Sequence, residues 1–379
     1  AQVENLRQRI MKKLNLQCIY FLTNTYPEKT YLTRTDFLHK NKPMAEHKLL
    51  LYGANGYTGK LIIRFAAEYN LHPILAGRTE SKIQPLAEKY NLPYRIFDLN
   101  NTTALQQALS DVKVVLHAAG PFMHTARPMM EACLATKTHY LDITGEIPVF
   151  EMGHAFSAKA KAAGIMLMPG TGFDVVPTDC LASYLENQLP DATHLKLAFT
   201  SIGSGVSHGT ALTMAENLGE GGAVRQNGKI IRVPMGHKGM WVDFGVKKRY
   251  VMTIPWGDVS TAYYSTGIPN IETYMGIAPS THRWVKLQKY FNWLLRTNFV
   301  RNLAKKRIEK QPAGPTDEQR KNANSLVWGE VRNAHGAIRQ ARLVIPDGYT
   351  LTAHTSLLIA KKVLKGNAPT GFQTPSRAY

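Results

Sequence analysis

"LLLYGANGYTGKLIIRFAAEYN", residues 49–70, is the stretch whose reading decides the fold. Residues 48–52 form a short apolar run of the kind found in strands buried on both faces. Gly53, Gly56 and Gly59 follow, and residues 60–69 then carry apolar side chains at helical spacing. Strand, glycine loop and helix, in that order, is the context in which such a loop binds phosphate. Gly53 permits the tight turn, Gly56 lets backbone approach a pyrophosphate, and Gly59 lets helix pack on strand. The helix start adds free N–H groups and positive potential. The expected cradle is therefore Gly53, Asn55, Gly56, Tyr57, Thr58 and Gly59. Its spacing is G-x-x-G-x-x-G rather than G-x-G-x-x-G, so the loop taken alone also suits a structural turn.

The flanking sequence narrows the reading. "HPILAGR" (72–78) is a second strand, and it ends in Arg78 where an NAD site carries Asp or Glu. Arg78, with Ser81 and Lys82 opening the next helix, fits the 2′-phosphate of NADP. "YRIFDLN" (94–100) sets Asp98 where a loop meets adenine or caps a helix. "VKVVLHAAGPF" (112–122) ends in small residues, and Ala119 and Gly120 let a nicotinamide ribose lie close. "THYLDITGE" (138–146), with Thr144 at its end, and "AGIMLMPGTGFD" (163–174) continue the alternation. Strands separated by helical patterns make a doubly wound parallel sheet.

After Asp174 the pattern changes. "THLKLAFTSI", "RYVMTIPW", "DVSTAYYST", "IETYMGI", "LVWGEVRN" and "AIRQARLVI" are β-rich runs between turn residues, with "SHGTALTMAENL" as a helix against them. The expected fold is α/β: a Rossmann sheet plus a C-terminal α+β domain with a mainly antiparallel sheet. The divisions fall at 1–43, an extension without a core; 44–172, the dinucleotide domain; 173–348, the substrate or oligomerisation domain; and 349–379, a helix and tail returning to the first domain. A ligand cleft between domains, outside the carboxyl ends of the Rossmann strands, follows from that arrangement.

"GANGYTGKL" (53–61), "LAGR" (75–78), "HAAGPF" (117–122), "YLDITGE" (140–146) and "PGTGFDVVPTDCLA" (169–182) resemble successive signatures of the saccharopine dehydrogenase-like oxidoreductases. "SHGT", "IPWGDVSTAYYSTGIPNIETY", "WGEVRNAHG", "DGYTLTAHT" and "GFQTPSRAY" are similar to the bacterial branch of that group, so the resemblance covers residues 44–379. It implies an NADP-binding Rossmann domain followed by an α+β domain. It does not imply lysine metabolism, because relatives such as trans-acting enoyl reductases share the cofactor domain and act on lipid-type substrates.

Composition sets the outer limits. A chain of 379 residues with 44% hydrophobic content supports two cores. Three cysteines without metal-ligand spacing read as free thiols of a cytoplasmic protein. The net charge of +19 is concentrated in residues 1–43 and 281–310, an arrangement that argues against nucleic acid as partner. Residues 281–310 combine Trp284, Leu287, Phe291, Leu294, Leu295 and Phe299 at helical spacing with nine Lys/Arg. Such a basic amphipathic helix makes peripheral membrane contact, or packs on the second domain or on another copy in a homodimer; packing is the favoured reading.

Hydride chemistry comes from the nicotinamide, and the protein adds position, electrostatics and a proton. No tyrosine has lysine four residues later, which disfavours the short-chain dehydrogenase mechanism, and no metal signature is present. Tyr140, Asp142, Thr144, Glu146, Asp179 and His117 are polar candidates near strand ends. His208 and Asp174 are the favoured catalytic candidates, because the crossover loops should line the cleft. The expectation is an NADP-dependent oxidoreductase acting on a C=O, C=N or activated C=C bond of a small, acyl or lipid-like substrate. A saccharopine-type amino-acid dehydrogenase would instead gather arginines such as Arg225, Arg232, Arg249, Arg332 and Arg342 at the site. A non-catalytic dinucleotide-binding scaffold is the third reading.

Overall fold

The computed structural model describes residues 48–379. The extension expected over 1–43 lies outside the described residues. Six strands of the first half are β1 (Leu49–Tyr52), β2 (Ile74–Gly77), β3 (Tyr94–Ile96), β4 (Val114–His117), β5 (His139–Asp142) and β6 (Met166–Met168). Helices α1 (Tyr57–Ala66), α2 (Glu80–Tyr90), α3 (Thr102–Leu109), α4 (Phe122–Thr136), α5 (Ile147–Ala155) and α6 (Ser157–Ala163) connect them. All four residues of β1 and of β4 are buried, as expected of strands covered by helices on both faces. The order is β3-β2-β1-β4-β5-β6 and every pairing is parallel, so the direction of winding reverses between β1 and β4. A crevice therefore opens at the carboxyl ends of these two strands.

Helix α7 (Val176–Gln188) leads into a second sheet. Its members are β7 (Ala192–Ile202), β8 (Gly222–Gln226), β9 (Lys229–Val233), β10 (Gly239–Asp243), β11 (Lys248–Thr253), β12 (Asn270–Gly276), β13 (Asn324–Asn333) and β14 (Ile338–Pro346). The main path is β10-β11-β12-β7-β13-β14, with the β8–β9 hairpin attached to β12. Only β12 and β7 pair in parallel, so the sheet is mixed and mainly antiparallel, as expected. The helices of this half are α8 (His208–Glu216), α9 (Asp258–Thr266), α10 (Pro279–Leu287), α11 (Asn292–Leu295), α12 (Asn298–Glu309) and α13 (Asp317–Asn322). Gly329 on β13 lets α7 approach closely: a Cβ there would stand 2.7 Å from Leu185 Cδ1.

The chain then returns. Helix α14 (Gly348–Leu364) lies against α1, where His354 stacks on Phe65 at 4.5 Å between ring centroids. Strand β15 (Gly371–Phe372) pairs with β6 as the seventh strand of the first sheet. Asp179 on α7 accepts from the Ser376 N–H at 2.8 Å and from the Ser265 hydroxyl, which ties the tail to both halves. One apolar core runs through Leu51, Leu116, Leu181, Leu197, Val327 and Leu357, joining the sheets through α7 and α14.

Three departures from the sequence reading have local causes. "DVSTAYYST" is helix α9, because burial of every residue from Asp258 to Ala262 and the left-handed Gly267 (φ 73°) outweigh its β-branched composition. The single helix expected over 281–310 is broken into α10, a 3-10 turn (Gln288–Tyr290), α11 and α12, since Thr297 caps a new helix by accepting from Val300 N. Trp284, Leu287, Phe291, Leu294 and Phe299 are exposed in the described chain, whereas Val285 and Leu295 are partly covered. Of the cysteines, Cys133 is a free, fully buried thiol, whereas Cys180 is not free, which corrects that part of the reading.

Candidate active site

The loops that leave β1 to β6 at their carboxyl ends line one crevice, and the glycine loop forms its floor. Gly53 adopts φ +85°, and a Cβ there would stand 2.8 Å from Ala118 C and Ala119 N, so the β1 and β4 loops touch only because it is glycine. A Cβ at Gly59 would stand 2.4 Å from the Gly53 carbonyl oxygen. Gly56 is the N-cap of α1; among the described residues no side chain caps that helix, and no acid stands in its first turn. Its first N–H groups are left for an anion, and the cradle fits a pyrophosphate. Asn55 lies beside the end of β2, 3.5 Å from where a Gly77 Cβ would be, and Thr58 is half-exposed in the first turn. Tyr57 departs from the expected cradle: its hydroxyl donates to the Pro315 carbonyl at 2.6 Å and its ring meets Tyr349 edge-on at 5.1 Å. Its side chain clamps the second half of the chain onto the loop, which leaves its backbone N–H for a phosphate.

Arg78 and Ser81 are exposed beyond β2, and Arg78 makes no hydrogen bond or ion pair among the described residues. Glu80, two residues on in the chain, accepts from the Tyr94 hydroxyl at 3.2 Å. Asp98 is exposed and does not cap a helix: its Oδ1 accepts from Asn100 N at 2.8 Å, and Asn101 caps α3.

Ala119 and Gly120 follow β4 beside the cradle, and the Ala119 carbonyl accepts from the Thr125 hydroxyl at 2.7 Å. That donation makes Thr125 Oγ1 the acceptor for His117 Nε2 at 3.0 Å. Burial pushes the His117 imidazole down to about 3, which favours the neutral ring. After β5, Thr144 Oγ1 accepts from Glu146 N at 3.0 Å. The Glu146 carboxylate accepts from Phe122 N at 2.8 Å and Met123 N at 2.7 Å, capping α4 across the crevice. This cap was not legible in the sequence, because Glu146 lies on a different loop from the helix it caps.

Asp142 is fully buried. It accepts from the Tyr140 hydroxyl at 2.7 Å, Gly170 N at 2.8 Å and Thr144 N at 3.0 Å, and burial raises its carboxyl to about 7. These bonds hold one side of the loop after β6. The other side is held by α14, where Thr355 Oγ1 donates to the Thr171 carbonyl and Thr352 Oγ1 accepts from Phe173 N. The loop thereby presents Asp174. Its Oδ2 would lie 2.9 Å from a Cβ on Gly145, and no hydrogen bond reaches its carboxylate among the described residues. Burial first, and then the charge of Glu146, raise Asp174 to about 7. Trp256 Nε1 donates to the Asp174 carbonyl at 2.7 Å, and Phe173, Phe199 and Trp256 form an aromatic wall with centroids 5.6 and 5.1 Å apart. Neither oxygen of the buried Asp258 meets a hydrogen-bond donor in good geometry among the described residues, and burial above all, with the nearby Asp179 and Asp174 adding to it, raises this carboxyl well above the ordinary carboxylate range. His208 is not brought to Asp174. Its Nε2 lies 2.5 Å from the Gln311 carbonyl and its backbone N–H donates to Ala313 O, so it fastens the 311–315 loop.

Fold and cradle together define a two-domain protein built on a dinucleotide-binding Rossmann sheet. Residues 49–168 match the Saccharopine dehydrogenase NADP binding domain family, so the resemblance drawn from the motifs is borne out for that domain. The chain is 26% identical over 203 residues to a saccharopine dehydrogenase-like oxidoreductase of Mus musculus, covering 47% of this chain and 47% of that protein. It is 26% identical over 165 residues to a trans-acting enoyl reductase of Mycobacterium ulcerans, covering 41% of this chain and 40% of that protein. The chain thus spans about half the length of the curated relatives it matches. Among solved structures, saccharopine dehydrogenase (L-Glu forming) of Saccharomyces cerevisiae shares the fold, with a TM-score of 0.58, 12% identity and coverage of 86% of this chain and 94% of that one. No cluster of three or more His, Cys, Asp or Glu able to hold a metal occurs among the described residues, and none of their helices is long and apolar enough to cross a membrane.

Proposed function

We propose that this protein is an NADP-dependent oxidoreductase that reduces or oxidises a C=O, C=N or activated C=C bond of a largely apolar substrate, with Asp174 as the proton donor and acceptor. A bound nicotinamide dinucleotide would supply the hydride chemistry. The first turn of α1 and the 53–59 loop would hold its pyrophosphate, and Arg78 with Ser81 would hold the 2′-phosphate. The observation that carries the reading is Asp174: a carboxyl on the cleft-lining loop that has no hydrogen bond among the described residues, raised to about 7. A carboxyl in that range holds a proton for a substrate atom gaining negative charge and takes it back in the reverse direction. The aromatic wall beside it favours an apolar substrate over a polycarboxylate. Arg225 is engaged by the Val259 and Gly228 carbonyls and Glu151, and Arg342 by the Asp243 carbonyl, so these arginines do not serve as carboxylate receptors.

Two measurements test this. Titration with NADPH and NADH should show NADPH bound more tightly, and Arg78→Asp should erase at least about ten-fold of that preference. In a screen of carbonyl, imine and enoyl substrates, Asp174→Asn should lower kcat/KM roughly 100-fold. Reductive kcat/KM of the unaltered protein should fall as pH rises through about 7, and the oxidative rate should rise. A variant that keeps both rate and pH profile would remove Asp174 from the chemistry. Dinucleotide binding without turnover of any of these substrates would favour the scaffold reading.

A further inference from the structure

The segment from α10 to α12 carries a face that the rest of the chain does not cover. Trp284, Trp293 and Phe299 are 74%, 72% and 77% exposed, and Tyr290, Phe291 and Leu303 are exposed with them. Isolated exposed apolar residues need no explanation, but a contiguous series of aromatics does. The segment is firmly seated by its other side. His282 is buried between the Gly236 carbonyl (2.7 Å) and the Tyr250 hydroxyl (2.8 Å). Arg301 donates to the Leu218 carbonyl at 2.8 Å and pairs with Glu220, and Lys305 pairs with Glu216 on α8.

Helical spacing separates the two faces. On α12, Arg301 and Lys305 point to α8, whereas Phe299, Leu303, Lys306, Arg307 and Lys310 fall on the opposite stripe. On α10, Trp284 and Leu287 stand across the helix from the buried His282. The outward face thus mixes aromatic rings with cations. Arg283, Lys286, Lys289, Lys306, Arg307 and Lys310 make no ion pair among the described residues, and the only acid in residues 281–310 is Glu309.

We infer that this face docks on an anionic lipid surface, with α10 and α12 lying in the interfacial plane. Charge selects the occupant. Two copies placed face to face would oppose Lys306, Arg307 and Lys310 with the same three cations, whereas a bilayer bearing acidic headgroups neutralises them and accepts the aromatic rings at headgroup depth. The 311–315 loop runs from this face to the glycine cradle, where Pro315 accepts from Tyr57, so docking brings the mouth of the cleft beside the lipid. The inference does not depend on the reaction proposed above.

Vesicle sedimentation of the full chain tests it. The protein should pellet with phosphatidylcholine vesicles containing phosphatidylserine, not with phosphatidylcholine alone, and high ionic strength should release it. Trp284→Ala with Trp293→Ala and Phe299→Ala should weaken binding at least about ten-fold, as should Lys306→Glu with Arg307→Glu, while NADPH titration stays unchanged. These positions are exposed, so an unaltered NADPH titration also reports an intact fold. Equal binding to neutral and anionic vesicles, or binding insensitive to both sets of substitutions, would overturn the inference. So would absence of binding to the anionic vesicles, and a dimer that the aromatic substitutions dissociate would then assign the face to a second copy.

Discussion

At Gly59 a single methyl group is too much. An added Cβ would stand 2.4 Å from the Gly53 oxygen and 2.9 Å from the Ala54 oxygen, both backbone atoms that no side-chain rotation can move aside. Gly59→Ala should therefore cost about 1–3 kcal/mol of stability by overpacking, read as a lowered urea midpoint, and should weaken dinucleotide binding in the same preparation. Asp142 gives a second outcome at this scale. Its carboxyl titrates near 7 in the folded chain against 3.8 as an ordinary value, so the native state holds a proton that the unfolded state has lost between those limits. Stability should fall as pH rises from about 4 to 7 and then level, with Asp174 and Asp258 acting in the same sense. Asp142→Asn keeps an acceptor for the Thr144 and Gly170 N–H groups and should make that slope shallower in denaturation series across pH. The glycines were legible in the sequence because their spacing encodes local backbone need. The place of His208 on the 311–315 loop was not, since it depended on which loops tertiary packing brings together.

Single elements show the same division. Strands β1 to β6 were readable from short apolar runs, because burial on both faces leaves an uninterrupted signal. What anchors them to one another was not. Glu146 stands beyond β5, yet its carboxylate satisfies the first N–H groups of α4, 23 and 24 residues earlier in the chain. Glu146→Ala should leave those donors without a cap, destabilising the protein by about 1–2 kcal/mol, and hydrogen exchange at Phe122 and Met123 should speed up with it. Glu146→Gln, which keeps one acceptor, should fall between. The segment 281–310 teaches the complementary lesson. Periodicity marks its apolar stripe but not the break at Thr297, and which side of the segment is seated depends on acids at Glu216 and Glu220, far off in sequence.

Across the whole molecule, the first sheet is assembled from both ends of the described chain. β15 pairs with β6, α14 covers α1, and the tail delivers the Ser376 N–H to the buried Asp179. Deleting residues 366–379 should expose the edge of β6 and strip Asp179 of that donor, lowering the melting temperature and making the protein prone to aggregate. Differential scanning calorimetry with light scattering would register both effects. The two-domain plan was legible because the change from alternating to β-rich sequence marks it, whereas the seventh strand, two residues long, carries no pattern of its own. For anyone recombining related sequences, the consequence concerns where crossovers are tolerated. A chimera joined once, near residue 174, would inherit its glycine cradle from one parent and the helix packed against it from the other. Mismatched steric complements along α1 and α14 would follow, so productive shuffling requires a second junction ahead of residue 348, moving the cradle and its distant lining as one heritable block.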